Sequence, residues 1–303
     1  MSTPAPIWFK EEACSSPSAS TAYLLKEILH QTQSKFCAIT IGVSELWGRC
    51  LFLDTEIQSS SSDEAIYHEH LVHPVMAATS DKQGRSVLII GGGEGATARE
   101  VLKWDDVTKV DMVDIDGELI EICKEHLKWA GEEVYSDKRL TIYPQDIRIF
   151  FDEHKLEKYD VVLMDLTDPD AEELSAVDWN SIDEDAQGLD YALYGPRFWK
   201  IIQDSLHASG AIASHVGPVS PGGDASVRRA GLEWCKKMLG GGEEGEAYKV
   251  GISSFQSDWG FFMSCKRGTK DLEAVLPKNL KVYDKDAETM AFLWPKYWFD
   301  KNL

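Results

Sequence analysis

Carboxylates recur in this chain at positions where they could hold a cation or take a proton. Glu94 sits inside the run SVLIIGGGEGATARE, Ser86 to Glu100, where Gly91, Gly93 and Gly95 form GxGxG and Gly91, Gly93 and Ala96 also satisfy GxGxxA. Asp114 follows at about twenty residues, the interval expected of an acid that hydrogen-bonds ribose hydroxyls. Asp146 comes next, and Asp165-Leu166-Thr167-Asp168-Pro169 then places two acids in one short turn. Glycines let backbone approach a ligand closely, and the helix start behind them offers unpaired N–H groups, so the run reads as a nucleotide turn. By itself it does not separate nicotinamide cofactors from S-adenosyl ligands. Glu94 narrows the choice: a carboxylate there repels a dinucleotide pyrophosphate and favours a cationic or sulfonium ligand. The acids at 165 and 168 could hold an ammonium and take its proton as general bases. The plainer alternative is a turn capped by side-chain–backbone bonds and enforced by Pro169.

Upstream, DEAIYHEHLVHP (Asp63 to Pro74) has helical spacing and an aspartate near its start as a cap. Tyr67, beside His68-Glu69, puts an aromatic hydroxyl just ahead of the nucleotide strand, although a half-buried helix tyrosine is the simpler local reading. His68, His70 and His73 lie close together, but no carboxylate or cysteine completes a recognisable zinc spacing, so no metal is expected.

These groups need a scaffold, and the pattern predicts one. Strands at Val87–Ile90, Lys109–Ile115, Leu140–Tyr143, Tyr159–Leu166 and Gly210–His215 alternate with helices. The helices are expected near residues 96–103, 117–129, 147–154, 196–206 and 225–239. Tyr248–Phe255 and Trp259–Cys265 read as a terminal hairpin. Such alternation means an α/β, Rossmann-like, doubly wound and mainly parallel sheet, which binds ligands at the carboxyl ends of its strands. Residues 1–62 read as a small β-rich domain ahead of a catalytic domain at 63–303. Within it, Ile7-Trp8-Phe9 is a hydrophobic island expected to dock, Ala22–His30 is predicted helical, and Phe36–Ile41 and Arg49–Asp54 are strands. Glu56-Ile57-Gln58 extends that unit, and Ser59–Ser62 is expected to be a loop at the boundary.

Over 303 residues the formal net charge is −20, which repels nucleic acid and attracts a polycation. Six scattered cysteines without a CxxC pair suit a reduced, cytoplasmic protein. No apolar run approaches a membrane span, and the polar start lacks a signal-peptide core.

GGGEGATARE, the acid-ending strand VDID, the DLTDP turn and DEAIYHE together resemble the polyamine synthase family, the aminopropyltransferases, in register from Trp8-Phe9 through Trp259-Gly260. YHEHLVHP, GGGEG, YALY, the VGP at 216–218 and SFQSDWGFFM resemble the thermospermine synthase branch more than the spermidine synthases, which typically have YQE, GGGDGG and a tyrosine where Phe255 stands. The resemblance implies decarboxylated S-adenosylmethionine as co-substrate, no other cofactor, a polyamine acceptor (spermidine first) and a homo-oligomer, dimer or tetramer. It implies that Asp114 binds ribose, Asp146 the adenine amino group and Glu94 the aminopropyl ammonium, within the turn of Gly91, Gly93 and Gly95. Asp165 with Tyr67 would orient and deprotonate the attacking amine, and Asp168 would steady the polyamine. Gln58 and Trp8 fall where the family lines the donor and acceptor pockets. Tyr194, His68 and Phe255 join the binding set.

Three departures accompany the resemblance. Phe36-Cys37-Ala38 replaces a tyrosine-glutamine-aspartate strand that touches the donor. The stretch 170–190 is longer and more acidic than the family's loop, and the connector 240–245 is extended. Spermine or spermidine synthesis, an S-adenosylmethionine methyltransferase and a non-catalytic polyamine sensor stand as alternatives.

Overall fold

Val87 to Ile90 and Val161 to Met164 are unbroken apolar runs, wholly buried, as strands covered on both faces must be. The computed structural model describes residues 6–11, 21–155, 157–167, 178, 189–219, 245–268 and 271–295. In it these runs form the centre of a seven-stranded sheet. Strands β6 (Arg85–Gly91), β7 (Val107–Asp114), β8 (Leu140–Pro144), β9 (Tyr159–Asp165) and β10 (Leu206–Pro218) are mutually parallel. The hairpin β11 (Glu246–Ile252) and β12 (Ser257–Met263) closes the β10 side, with β12 antiparallel to β10. The order is β11-β12-β10-β9-β6-β7-β8. β6 therefore has β7 on one side and β9 on the other, which makes its carboxyl end the switch point where such sheets bind ligands.

Successive side chains of β6 part to opposite faces, as the two-residue period of a strand requires. Val87 and Ile89 pack with Leu71, Val75 and Val101, from α1 (Glu64–Ala78) and α2 (Ala96–Leu102). Leu88 and Ile90 pack with Phe150, Phe198 and Trp199 on the other face. Helix α3 (Gly117–His126), α4 (Glu132–Ser136), α5 (Ile147–Glu153) and helices at Leu189–Tyr194 and Pro196–Asp204 complete the connections. The helix expected at 225–239 lies outside the described residues, as do most of the stretch 170–190 and the connector 240–244.

The amino-terminal region is an antiparallel five-stranded sheet in sequential order: β1 (Ile7–Lys10), β2 (Ala22–Gln33), β3 (Ala38–Ser44), β4 (Gly48–Leu53) and β5 (Glu56–Ser60). It sits on the large sheet through Ile39, Ile41 and Leu51, which cluster with Leu119, Ile122 and Cys123 of α3. Here two expectations are corrected. Ala22–His30 is strand, not helix: Tyr23 and Leu25 are buried while Leu24 faces outward, and register shifts after Leu25 and Ile28 break the alternation into a helix-like spacing. Ser59 and Ser60 are not loop but the end of β5, paired with Leu51 and Cys50.

Among the described residues no helix is long and apolar enough to cross a membrane.

Candidate active site

The glycine turn is built into the strand beside it. Gly91 has φ +83° and a Cβ there would collide with the Asp165 carbonyl, while the Gly92 N–H donates to that carbonyl at 2.9 Å. Only glycine meets both demands. Gly95, φ +82°, leads into α2 where a Cβ would strike the Tyr135 ring, and the Tyr135 hydroxyl donates to the Glu94 carbonyl at 3.0 Å. The Gly93 N–H donates to Asp114 Oδ2 at 2.9 Å, and the Asp116 N–H to Asp114 Oδ1 at 2.9 Å. Burial pushes the Asp114 carboxyl up to about 6, helped by the charges of Asp116 and Asp165 and opposed by these two N–H bonds.

Asp165, the last residue of β9, receives both hydroxyls within reach: Tyr67 OH on Oδ1 at 2.9 Å and Thr97 Oγ1 on Oδ2 at 2.5 Å. Tyr67 comes from α1 and Thr97 from the first turn of α2, so the base candidate is held from three elements. The Tyr67 ring lies among His215, Phe255 and Phe261 at centroid distances of 6.0, 6.2 and 5.5 Å. Phe255 also meets Trp259 at 4.8 Å. Its turn is tied down by Asp63, which accepts from Ser254 N and Oγ, both at 2.8 Å, and from Ser60 Oγ at 2.7 Å. His215 Nε2 donates to the Leu166 carbonyl at 2.8 Å, and burial lowers the pKa of that ring, so it stays neutral in supporting the turn after Asp165.

Glu94 is 8% exposed and His68 3%. His68 Nε2 contacts Glu94 Oε1 at 2.5 Å, and Ser59 Oγ donates to the same oxygen at 3.4 Å. Glu94 Oε2 is buried with no hydrogen-bond partner among the described residues. A buried carboxylate oxygen in that condition is costly unless a ligand answers it.

The structure thus brings Tyr67, Glu94, Asp114 and Asp165 to the strand ends around β6, with Phe255 beside Tyr67. Gln58, next in sequence to Ser59, is the extra residue of a β-bulge, because β5 pairs Ser59 with Leu51 but Ile57 with Phe52; bulges commonly re-aim a side chain. His68 lies behind Glu94, not in the open site. Asp146 caps α5 and is held bidentately by Arg148 at 3.0 and 2.6 Å, which keeps its carboxyl below the usual range despite burial. Tyr194 is buried and donates its hydroxyl to the Thr167 carbonyl, bracing the turn after β9. Trp8 is 60% exposed on edge strand β1 and is not drawn into this cluster. Asp168 lies outside the described residues. Cys37 Sγ approaches Asp116 Oδ2 at 3.9 Å, and Ser34 Oγ donates to the same oxygen at 2.5 Å. The substituted strand therefore still contacts the acid-ending turn after β7.

Thr97, Ser59, Ser34 and His215 were not singled out by sequence. Thr97 alone carried a signal, a hydroxyl in the first turn of the helix behind the glycines. The other two α1 histidines are spent structurally. His70 Nδ1 donates to the Ile66 carbonyl at 2.7 Å, and His73 lies between Glu100 (3.0 Å) and the Trp104 indole N–H (3.1 Å). No group of three or more His, Cys, Asp or Glu that could hold a metal occurs among the described residues. A cavity of about 450 Å³ opens elsewhere, beside α5 and helix Pro196–Asp204, lined by Arg148, Phe151, Arg197 and Phe198. None of Tyr67, Glu94, Asp114 and Asp165 lines that cavity.

Residues 64–183 match the spermine/spermidine synthase domain, and residues 7–61 the spermidine synthase tetramerisation domain. A polyamine aminopropyltransferase of Saccharolobus solfataricus is 31% identical over 282 residues, covering 90% of this chain and 86% of that protein. Polyamine aminopropyltransferase 2 of Pseudomonas aeruginosa is 34% identical over 250 residues, 82% of this chain and 65% of that protein. Among solved structures, spermidine synthase from Thermotoga maritima superposes with a TM-score of 0.77 at 22% identity, covering 98% of this chain and 95% of that one. A spermidine synthase in complex with the transition state analogue AdoDATO gives 0.79 at 23%, covering 98% and 96%. At those identities the structural likeness speaks for the fold.

Proposed function

This chain belongs to the polyamine aminopropyltransferase family, and from that premise we propose that it transfers the aminopropyl group of decarboxylated S-adenosylmethionine to spermidine, forming thermospermine and methylthioadenosine. The family's donor is a co-substrate, and its sulfonium is already activated. The protein's work is to orient two cationic molecules and to remove one proton. The observation that carries this reading is the pairing, at the ends of adjacent strands, of a hydroxyl-braced carboxylate (Asp165 with Tyr67) and a carboxylate with an open buried oxygen (Glu94).

In this reading Asp114 accepts the ribose hydroxyls above the glycine turn, with Asp146 and Gln58 toward the adenosyl group. Glu94 Oε2 takes the aminopropyl ammonium. Ordinary S-adenosylmethionine carries a second carboxylate near that point, and repulsion selects the decarboxylated form. An ammonium has no lone pair, so the attacking nitrogen must arrive neutral, in line with the S–CH₂ bond. Asp165 takes its proton, and Tyr67 fixes the carboxylate that does so. Asp168 steadies the remaining ammonium groups, and Phe255 with Trp259 forms an apolar wall for the methylenes between them.

Phe255 in place of tyrosine, and histidine rather than glutamine after Tyr67, support the thermospermine branch. The match of residues 7–61 to a tetramerisation domain supports a homo-oligomer, and the scattered cysteines support a cytoplasmic setting. The test is chromatographic identification of the product from decarboxylated S-adenosylmethionine and spermidine, because spermine and thermospermine are isomers of one mass. Thermospermine is expected. Spermine as product would overturn the assignment of the attacking end, and no methylthioadenosine release with putrescine, spermidine or norspermidine would overturn the activity.

A further inference from the structure

His68, which the family resemblance places in the binding set, has no contact assigned to it in the reaction described above. Its Nδ1 lies 2.7 Å from the Glu64 carbonyl, which can only accept, so Nδ1 carries a hydrogen. Its Nε2 lies 2.5 Å from Glu94 Oε1, too close for two lone pairs to face each other, so a second hydrogen sits in that contact. Behind the ring, Glu64 is held by Arg99 at 3.1 and 2.7 Å and by Lys281 at 3.4 Å. Charges therefore alternate from Arg99 through Glu64 and His68 to Glu94, and the row ends on the open oxygen Glu94 Oε2.

We propose that His68 is a positioning residue for the cationic end of the donor, sharing a proton with Glu94 Oε1 so that Oε2 alone is presented to an ammonium. The inference rests on the reading of Glu94 as the aminopropyl-ammonium site and adds the group that prepares it. A donor ammonium at Oε2 extends the alternation by one charge. With a neutral side chain at position 68, Glu94 would be a buried carboxylate without its internal cation. It would take up a proton, which the donor would then have to displace.

The groups facing this pair fit that role. Asp165 of β9 and Glu64 of α1 add negative potential at the ring, and although burial opposes its charge, the carboxylates prevail and raise its pKa well above the usual value. Tyr67 stacks edge-on to the ring at 5.0 Å. Cys123 of α3 and Tyr135 of α4 face Glu94, and burial, with its charge, holds both in their neutral forms. Ser59 of β5 and Thr97 of α2 bring neutral hydroxyls to Glu94 and Asp165.

The experiment is calorimetric titration of wild type and His68→Gln, from pH 6 to 8.5, with decarboxylated S-adenosylmethionine and with methylthioadenosine, which lacks the ammonium. Asp114 contacts the ribose of both ligands, so the ratio of the two affinities cancels its titration. The ratio is expected to hold constant in wild type. In His68→Gln it is expected to fall severalfold as the pH is lowered from 8.5 to 6, because protons then compete with the donor for the unpaired carboxylate. A ratio independent of pH in that variant overturns the proposal. Glu94→Gln keeps the two claims apart, because equal weakening of both ligands there would remove the underlying reading of Glu94 instead. Should His68→Gln not fold, nitrogen NMR of the wild-type ring decides: a doubly protonated His68 through pH 8 supports the proposal, and a neutral ring at pH 7 overturns it.

Discussion

Asp165 accepts two hydroxyl bonds, at 2.9 and 2.5 Å, yet each carboxylate oxygen keeps a lone pair, so the brace fixes its direction without using up its basicity. Replacing it by asparagine preserves the size and removes the base. Asp165→Asn is expected to lose about 10²–10⁴-fold in turnover, the usual contribution of one positioned base, while still binding donor. Single-turnover release of methylthioadenosine beside equilibrium donor binding checks this, and turnover near wild type would remove Asp165 from that role. Asp165 and Glu94 were legible in sequence because an acid at a strand end or inside a glycine turn has few structural duties. Ser59 and Ser34 were not, because a serine hydroxyl acquires meaning only from what lies across the fold. The Glu64–His68 pair was half legible: their four-residue spacing puts them on one helix face, but Glu94 and Arg99 reach them through tertiary packing alone.

Helix α1 (Glu64–Ala78) carries two sets of groups. Tyr67 and His68 serve the strand-end cluster, while Glu69 accepts the backbone N–H groups of Lys281, Val282 and Tyr283 at 2.8, 2.8 and 2.7 Å, clasping the carboxyl-terminal region to the helix. No sequence pattern foretold that clasp, since its halves lie more than two hundred residues apart. The same helix contributes to the acid stability of the protein. Burial lowers His70 to about 4 from its usual 6.5, so the unfolded chain binds the extra proton first. Stability from this group is therefore lost as pH falls from about 6.5 to 4, by about 3 kcal/mol at most. Glu64, which burial would raise, is held down to about 2 by His68 and Arg99, and its contribution is lost between about 4.5 and 2. Urea unfolding across this range is expected to show both declines, with His70→Gln shallower in the upper window. An unchanged upper slope in that variant would count against the assignment. Strand β2 shows where reading by period failed. The register shifts after Leu25 and Ile28, together with the outward-facing Leu24 and Ile28, imitate a helix stripe. Strands of the large sheet were legible because burial on both faces leaves a continuous apolar run.

At the scale of the molecule, the five-stranded sheet leaves the cross-strand neighbours Trp8 and Leu24 60% and 37% exposed on one face. Apolar groups gathered in this way mark a contact surface, consistent with the tetramerisation match over this region. Trp8→Asp is expected to lower the sedimentation mass of the assembly, and an unaltered mass would place the contact elsewhere. The net charge of −20 acts over the same scale and favours the approach of a polycation. The glycine turn is joined directly to its neighbouring strand. Gly91 is paired directly with Asp165, and the Gly92 N–H closes on the Asp165 carbonyl. In the proposed reaction the platform for the donor and the base for the acceptor are thus rungs of one ladder, set apart by the spacing of adjacent strands, about 4.8 Å. That spacing is a ruler made of backbone, which no side-chain substitution can lengthen. Choice among polyamines of different length must be exercised farther along the acceptor, so the reaction centre can stay constant while the far end of its channel changes.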